Sequence, residues 1–214
     1  MRSDVLVRYP GRVYLIRGNH EFRLQNKTYG FFSKCDLALG MKVQEELFES
    51  VHLAFDWLPL AAVVGGIVLV MHGGIGDGRW RLDDLRRVKR PITDEGSNPL
   101  VYQVVWSDPV DGSELSVRAG HPSPRDRTGM LHSFSSEETQ KFCKDNHLQL
   151  IVRSHQVVRN GFQIQHGGRL ATVFSAPSYC GRGSNDSAIA LITLDEDGNH
   201  YVKFKTFSNV EPRK

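Results

Sequence analysis

The sequence has 214 residues, 40% of them hydrophobic and 24% charged, which is enough for one sizeable core in a globular domain and excludes a disordered or fibrous chain. Its formal net charge of +3 is too small to predict a nucleic-acid partner. Cys35, Cys143 and Cys180 are widely spaced and form no CxxC pair, so we expect neither a disulfide framework nor a zinc knuckle.

The first predicted strand leads into a polar loop. Residues 12–17 are rich in branched and aromatic side chains and stop at Gly18, which predicts a buried strand. The loop at residues 19–21 follows directly. Between residues 28 and 55, apolar side chains recur at three- and four-residue spacing, which predicts helices, and Gly40 is expected to divide them.

A hairpin and a short helix come next. Residues 61–64 and 67–71 flank Gly65-Gly66, a pair suited to the positive φ angles of a hairpin turn. The second strand of this hairpin stops at His72. Residues 82–88 have the spacing of a short amphipathic helix.

The second half begins with a loop and ends in strands. Residues 108–133 are dense in Pro, Gly, Asp and Ser, which predicts a long surface loop. Ser135, with Glu138 three residues later, forms a capping-box pattern that opens a helix to about residue 146. Strands are then predicted at residues 150–153, 162–165, 170–174, 188–194 and 201–207. The mixed order of elements predicts an α/β (α+β) sandwich, residues 1–214, as a single domain.

Side chains that can bind metals follow three of the predicted strands. Asn19 and His20 follow the first, His72 follows the hairpin, and His155 follows residues 150–153. Ligands just beyond strand ends are held by rigid backbone, and imidazole nitrogen and amide oxygen both bind transition metals. A single histidine at such a place is more often structural than a ligand, so each residue alone leaves both interpretations open.

These residues belong to longer strings with a recognisable order. The strings are residues 15–21 (LIRGNHE), 72–75 (HGGI), 106–109 (WSDP), 152–157 (VRSHQV) and 173–181 (VFSAPSYCG). In this order and spacing they closely resemble the PPP family of serine/threonine protein phosphatases, which are calcineurin-like metallophosphoesterases. Two further strings, residues 90–93 (RPIT) and 146–151 (NHLQLI), look most like the kelch-repeat phosphatases of that family.

The resemblance implies a fold, a reaction and a set of partners. The fold is a metallophosphoesterase sandwich of two mixed β-sheets flanked by helices. The reaction is the hydrolysis of phosphoserine and phosphothreonine in proteins by water that two divalent metal ions activate, either manganese or iron and zinc. The implied partners are phosphorylated proteins and regulatory subunits or domains.

The resemblance also implies residue roles. The metal ligands of the family are matched by Asn19, His72 and His155. The proton donor to the departing serine or threonine oxygen is matched by His20. Residues that line the substrate cleft are matched by Asp108 and Tyr179.

The phosphate-clamping arginine of the family has two candidates here. Arg127 is the best match, and an arginine at this place would bind the phosphoryl oxygens in a bidentate manner. The family usually has glycine directly after it, whereas this sequence has Thr128, so Arg125 remains an alternative. Ser178 departs from the usual asparagine of its string.

Two family motifs that precede the first string, Gly-Asp-x-His-Gly and Gly-Asp-x-x-Asp-Arg-Gly, are not found in the sequence. We therefore expect an N-terminally truncated catalytic domain, its C-terminal two-thirds to three-quarters, which supplies part of the metal site. One alternative is a catalytically dead scaffold or phosphopeptide-binding module. Another is a binuclear phosphoesterase that acts on nucleotides or diesters.

Location and surface residues follow from the remaining patterns. The sequence begins with no signal-peptide core, and its longest apolar stretch, residues 57–71, is too short and too interrupted to cross a bilayer. We expect a cytoplasmic or nuclear protein with neither membrane nor nucleic acid as a partner. The remaining loop and helix-end histidines are expected on the surface: His121, His132, His147, His166 and His200.

Overall fold

The computed structural model of the chain describes residues 8–39, 41–110, 129–181, 184–194 and 200–208. Within these ranges, every helix is too short or too polar to cross a membrane. The helices are α1 (Arg23–Thr28), α2 (Phe31–Leu39), α3 (Met41–Phe55), α4 (Leu82–Arg86), α5 (Pro99–Trp106) and α6 (Ser136–Asp145). The strands are β1 (Ala61–Val64), β2 (Val68–Met71), β3 (Leu150–Arg153), β4 (Phe162–Gln165), β5 (Leu170–Val173), β6 (Ser187–Leu194) and β7 (His200–Phe207).

The strands form two sheets. The larger sheet has five strands in the order β1-β2-β3-β5-β4, with β2, β3 and β5 parallel and the outer strands antiparallel to their neighbours. Strands β6 and β7 form the second sheet. The predicted α/β architecture with two sheets and helices is confirmed. A mixed second sheet was predicted, but its two described strands are antiparallel because β7 follows β6 as a hairpin partner.

Local signals set several boundaries as predicted. Gly65 and Gly66 both have positive φ angles, 58° and 79°, in the turn between β1 and β2. At the start of α6, Ser135 Oγ accepts a hydrogen bond from the backbone N–H of Glu138, and the Glu138 carboxylate accepts one from the backbone N–H of Ser135. This reciprocal pair is the predicted capping box.

The core lies between the larger sheet and helices α5 and α6. Strand side chains in this core share almost complete burial: Leu69, Met71, Ile151 and Leu170. The helices cover them with Val101, Val104, Val105 and Phe142. Each such side chain contributes about 1.5–3 kcal/mol through removal of apolar surface from water. The sheet edge that carries the candidate site therefore rests on a well-packed base.

The predicted strand at residues 12–17 is wrong for the part of the chain that the structure describes. Only one ladder-like hydrogen bond is recorded there, from the backbone N–H of Arg17 to the oxygen of Pro59 at 2.8 Å. Tyr14 is 75% exposed. Branched residues favour a strand only where a neighbouring strand pairs with them, so the segment runs to Gly18 without forming one.

Two further features differ from the sequence interpretation. Helix α5 was not predicted, because its branched valines also favour a strand; Asn98 caps it and Pro99 opens it. His166 was expected on the surface, yet it is buried. Its Nδ1 lies 2.8 Å from Thr139 Oγ1, and its Nε2 lies 3.1 Å from the Val110 oxygen. These two polar partners compensate for the loss of water around the ring.

Glu95 is a buried carboxyl group beside the core. Its side chain is 7% exposed, and Gln25 Nε2 donates a hydrogen bond of 2.7 Å to Glu95 Oε1. Burial raises the pKa of Glu95 from 4.5 to about 7, although the bond from Gln25 opposes the shift. The folded state therefore holds this proton more tightly than the unfolded chain does.

Glu95→Gln is expected to remove a loss of stability that the wild type shows at rising pH. Because the folded pKa lies above the unfolded one, the wild type loses stability as the pH rises from about 4.5 to about 7. Between acidic and alkaline pH, the free energy of unfolding of the wild type should fall by about 3 kcal/mol relative to that of Glu95→Gln. Urea denaturation across this range measures the shift. The exposed Glu46→Gln variant is the control, and parallel pH profiles for Glu95→Gln and wild type would contradict the prediction.

Candidate metal centre

Parallel pairing of β2 with β3 brings two predicted ligands together. The register places Val70 opposite Val152, so both strands end at the same edge of the sheet. His72 directly follows β2, and His155 lies two residues after β3. The backbone N–H of Ser154 donates a hydrogen bond of 3.0 Å to the His72 oxygen, which holds the two strand ends side by side.

The donor atoms of three predicted ligands meet at this edge. Asn19 Oδ1 lies 2.8 Å from His72 Nε2, and His155 Nδ1 lies 3.3 Å from the same His72 nitrogen. The two imidazole rings are 5.1 Å apart at an interplanar angle of 70°. An amide oxygen and two ring nitrogens that are distant in sequence thus converge on one point.

A short turn presents Asn19 to the histidines. Residues Asn19–Glu21 form one 3-10 turn, and the backbone N–H of Gly18 donates to Glu21 Oε2 at 2.8 Å. A Cβ atom on Gly18 would lie 2.8 Å from His72 Nδ1. Only glycine therefore allows the turn to approach His72 closely enough for the Asn19 contact.

His155 has an unusual backbone conformation. Its φ angle is 67°, in the left-handed region that a residue with a side chain rarely occupies. Such a conformation costs free energy and persists only where surrounding contacts impose it. The Trp106 ring, 5.6 Å from the His155 ring and nearly perpendicular to it, supplies one of those contacts.

His72 is held in its neutral form. Burial, with smaller contributions from the charges of His155, Arg153 and His20, lowers the pKa of His72 to about 3. The imidazole therefore carries no proton on one ring nitrogen throughout the physiological pH range. A neutral imidazole is the form that coordinates metals.

The three residues fit part of a metal ligand shell. Neighbouring ligands that are each about 2.0–2.2 Å from one cation lie about 3 Å apart, which agrees with the separations of 2.8 and 3.3 Å. Across the described ranges, no group of three or more His, Cys, Asp or Glu side chains is arranged to hold a metal ion. The fit therefore rests on two imidazoles and one amide: Asn19, His72 and His155.

His20 is exposed and adjoins a predicted ligand. It directly follows Asn19 in the turn and is exposed, and its ring packs 4.9 Å from that of Tyr29. An exposed imidazole next to a buried ligand cluster has access both to a bound substrate and to solvent.

Asp108 lies beside His155 and is mostly buried. Its side chain is 12% exposed, and its Oδ1 accepts a hydrogen bond of 2.7 Å from Arg153 Nη2. The same oxygen is 4.0 Å from His155 Nε2. Sequence reasoning missed Arg153, although an arginine at the end of an apolar strand, directly before the Ser154-His155 pair, was a usable signal.

The other predicted substrate residues are only partly described. Tyr179 is 41% exposed, packs edge-on against Phe174 at 5.1 Å, and donates its backbone N–H to Asn185 Oδ1 at 3.0 Å. Exposure on a rigid turn suits a residue that meets a ligand. The predicted phosphate clamp, Arg127 or its alternative Arg125, lies outside the described residues.

The chain is similar in sequence to a known family and to named proteins. Residues 3–159 match the family described as calcineurin-like phosphoesterase. The chain is 36% identical to serine/threonine-protein phosphatase BSL2 of Arabidopsis thaliana over 88% of its own length and 18% of that protein. It is 35% identical to human serine/threonine-protein phosphatase 5 over 84% of its own length and 34% of that protein. The chain thus spans about a fifth to a third of the length of these two relatives.

A solved structure is also similar over almost the whole chain. It is a serine/threonine phosphatase from Saccharomyces cerevisiae with similarity to human phosphatase PP5. The TM-score is 0.82 at 30% sequence identity, and the match covers 98% of this chain and 64% of the yeast chain. The described sheets and helices therefore have the same arrangement as in a known phosphatase fold.

Proposed function

The chain belongs to the calcineurin-like phosphoesterase family, and from this premise we propose that it hydrolyses phosphoserine and phosphothreonine in proteins. The reaction uses a binuclear metal site, and this chain contributes part of the metal ligands. The convergence of Asn19 Oδ1, His72 Nε2 and His155 Nδ1 supports the proposal most directly. Two divalent cations in such a site, manganese or iron and zinc, would activate water and neutralise charge on the phosphate oxygens.

The side chains of the site have distinct roles in this proposal. Asn19, His72 and His155 hold metal, and the low pKa of His72 keeps its ring nitrogen free of a competing proton. His20 donates a proton to the serine or threonine oxygen as it leaves. Because His20 is exposed, it can take up another proton from solvent afterwards.

Substrate binding is assigned to an aspartate, a tyrosine and an arginine. Tyr179 is half-exposed and Asp108 lies 4.0 Å from His155, so we propose both as residues of the cleft. Arg127, or Arg125, is proposed as the clamp on the phosphoryl oxygens. Phosphorylated proteins are the proposed substrates, regulatory subunits or domains the partners, and the cytoplasm or nucleus the location. The resemblance to kelch-repeat phosphatases also remains a prediction.

Removal of metal is expected to abolish hydrolysis, and manganese is expected to restore it. The test measures phosphate release from a phosphoserine peptide before and after manganese is added to the chelator-treated protein. The protein is extended with a segment that carries the Gly-Asp-x-His-Gly and Gly-Asp-x-x-Asp-Arg-Gly motifs of the family, so that an incomplete ligand set does not itself prevent turnover. A phosphotyrosine peptide and a phosphodiester are parallel substrates. The proposed function requires that phosphoserine is preferred and that turnover depends on metal.

The same experiment separates the alternatives. A protein that binds the phosphoserine peptide in the presence of manganese and releases no phosphate is a non-catalytic phosphopeptide-binding module. Faster hydrolysis of the diester than of the phosphopeptide would instead identify a phosphodiesterase. Either result contradicts the proposed function.

A further inference from the structure

Arg153 is a buried arginine that contacts both strand ends of the site. It is the last residue of β3, and its side chain is fully buried. Its Nε donates to the Gly73 oxygen at 2.7 Å, and its Nη1 donates to Gln156 Oε1 at 2.9 Å. Gly73 directly follows His72, and Gln156 directly follows His155. One guanidinium group is therefore bonded to the neighbour of each histidine.

The third nitrogen of Arg153, Nη2, binds the two residues that directly follow α5. Its Nη2 donates to the Ser107 oxygen at 3.1 Å and to Asp108 Oδ1 at 2.7 Å. A guanidinium is planar and presents its N–H groups in a fixed fork, so these acceptors must keep fixed relative positions. Lysine could not reproduce the pattern, because its single ammonium group has a different geometry.

Asp108 compensates the buried positive charge. A cation without exposure is costly unless it is paired and hydrogen-bonded. The Asp108 carboxylate bonds to Arg153 and lies 4.0 Å from His155 Nε2, on the opposite side of the ring from the Nδ1 atom that faces His72. Second-layer carboxylates of this kind commonly orient histidine ligands.

We infer that Arg153, with Asp108 as its counter-ion, is a positioning residue that sets the separation between the His72 and His155 rings. The inference rests on the proposed function, because that proposal assigns a metal to the site. The distance between the two rings, however, can be measured in the protein without metal. It adds a second role for Asp108 beside the cleft role proposed above. The consequence is that changes at Arg153 act on metal affinity through the histidines.

Arg153→Lys is expected to weaken manganese binding about 10–100-fold, because loss of an outer-layer partner has effects of this size. Titration calorimetry measures the affinity at a temperature where circular dichroism shows the variant folded. Nuclear Overhauser contacts between the His72 and His155 rings, recorded without metal, measure the ring separation directly. These contacts should weaken in Arg153→Lys. Asp108→Asn retains an acceptor oxygen but removes the charge that compensates Arg153, so its affinity is also measured at a temperature where the variant is folded. It should weaken manganese binding about 10-fold.

The control is the exposed pair of Arg86 and Asp83, whose side chains are 69% and 67% exposed. Arg86→Lys should change neither manganese affinity nor the ring contacts. The inference is overturned if Arg153→Lys lowers only thermal stability, or if Asp108→Asn raises KM while manganese affinity stays unchanged. If wild type binds no manganese, the proposed function fails, and the ring contacts in Arg153→Lys then decide the positioning role alone.

Discussion

Replacing His20 by asparagine is expected to lower kcat about 10²–10⁴-fold, the usual contribution of a positioned general acid. Asparagine cannot donate a proton to a departing alkoxide. The side chain of His20 is exposed and packs against Tyr29, whereas the ligand atoms are contributed by Asn19, His72 and His155. Manganese affinity should therefore remain close to that of the wild type.

The leaving group separates a proton donor from a residue that only shapes the site. A serine alkoxide must be protonated as it leaves, whereas p-nitrophenolate is stable without a proton. The loss of kcat in His20→Asn should therefore be much larger for a phosphoserine peptide than for p-nitrophenyl phosphate. His147→Asn is the control, since His147 is also exposed and its positive φ angle of 56° suits asparagine. An equal loss with both substrates would contradict the assigned role.

Replacing Gly73 by alanine is expected to lower the free energy of unfolding by about 3 kcal/mol or more, the upper range for overpacking in a core. A Cβ atom at this position would lie 2.6 Å from the Val105 carbonyl carbon and 2.7 Å from the Trp106 nitrogen. Both are backbone atoms near the end of α5 and cannot rotate away. The backbone N–H of Gly73 also donates to the Val104 oxygen at 2.9 Å, and this bond would be strained.

Urea denaturation of Gly73→Ala measures this loss. The matched control is Gly96→Ala, where the nearest atom to an added Cβ is Asp94 Oδ1 at 3.5 Å, an ordinary contact. Since Gly73 adjoins His72, the variant should also bind manganese more weakly than Gly96→Ala does. Wild-type stability in Gly73→Ala would mean that α5 and the strand end can move apart, contrary to the close packing described above.

The sequence located two of the candidate ligands through strand ends. Runs of branched residues before His72 and near His155 predicted strands, and the structure contains both as β2 and β3. Parallel strands next to each other end at the same sheet edge, so the residues that follow them are neighbours. Asn19 was also expected to follow a strand, at residues 12–17, but no strand precedes it among the described residues.

By itself, the sequence determined features that are encoded within a few residues. These are the Gly65-Gly66 turn, the Ser135 capping box, the helices within residues 28–55 and 136–145, and the strings that resemble phosphatases. The tertiary structure alone decided that Asn19 Oδ1 reaches His72, that Arg153 lies between the two strand ends, and that His166 is buried. The difference is physical. Turns and caps depend on local backbone preferences and neighbouring hydrogen bonds, whereas burial and ligand convergence depend on contacts between residues separated by up to 83 positions.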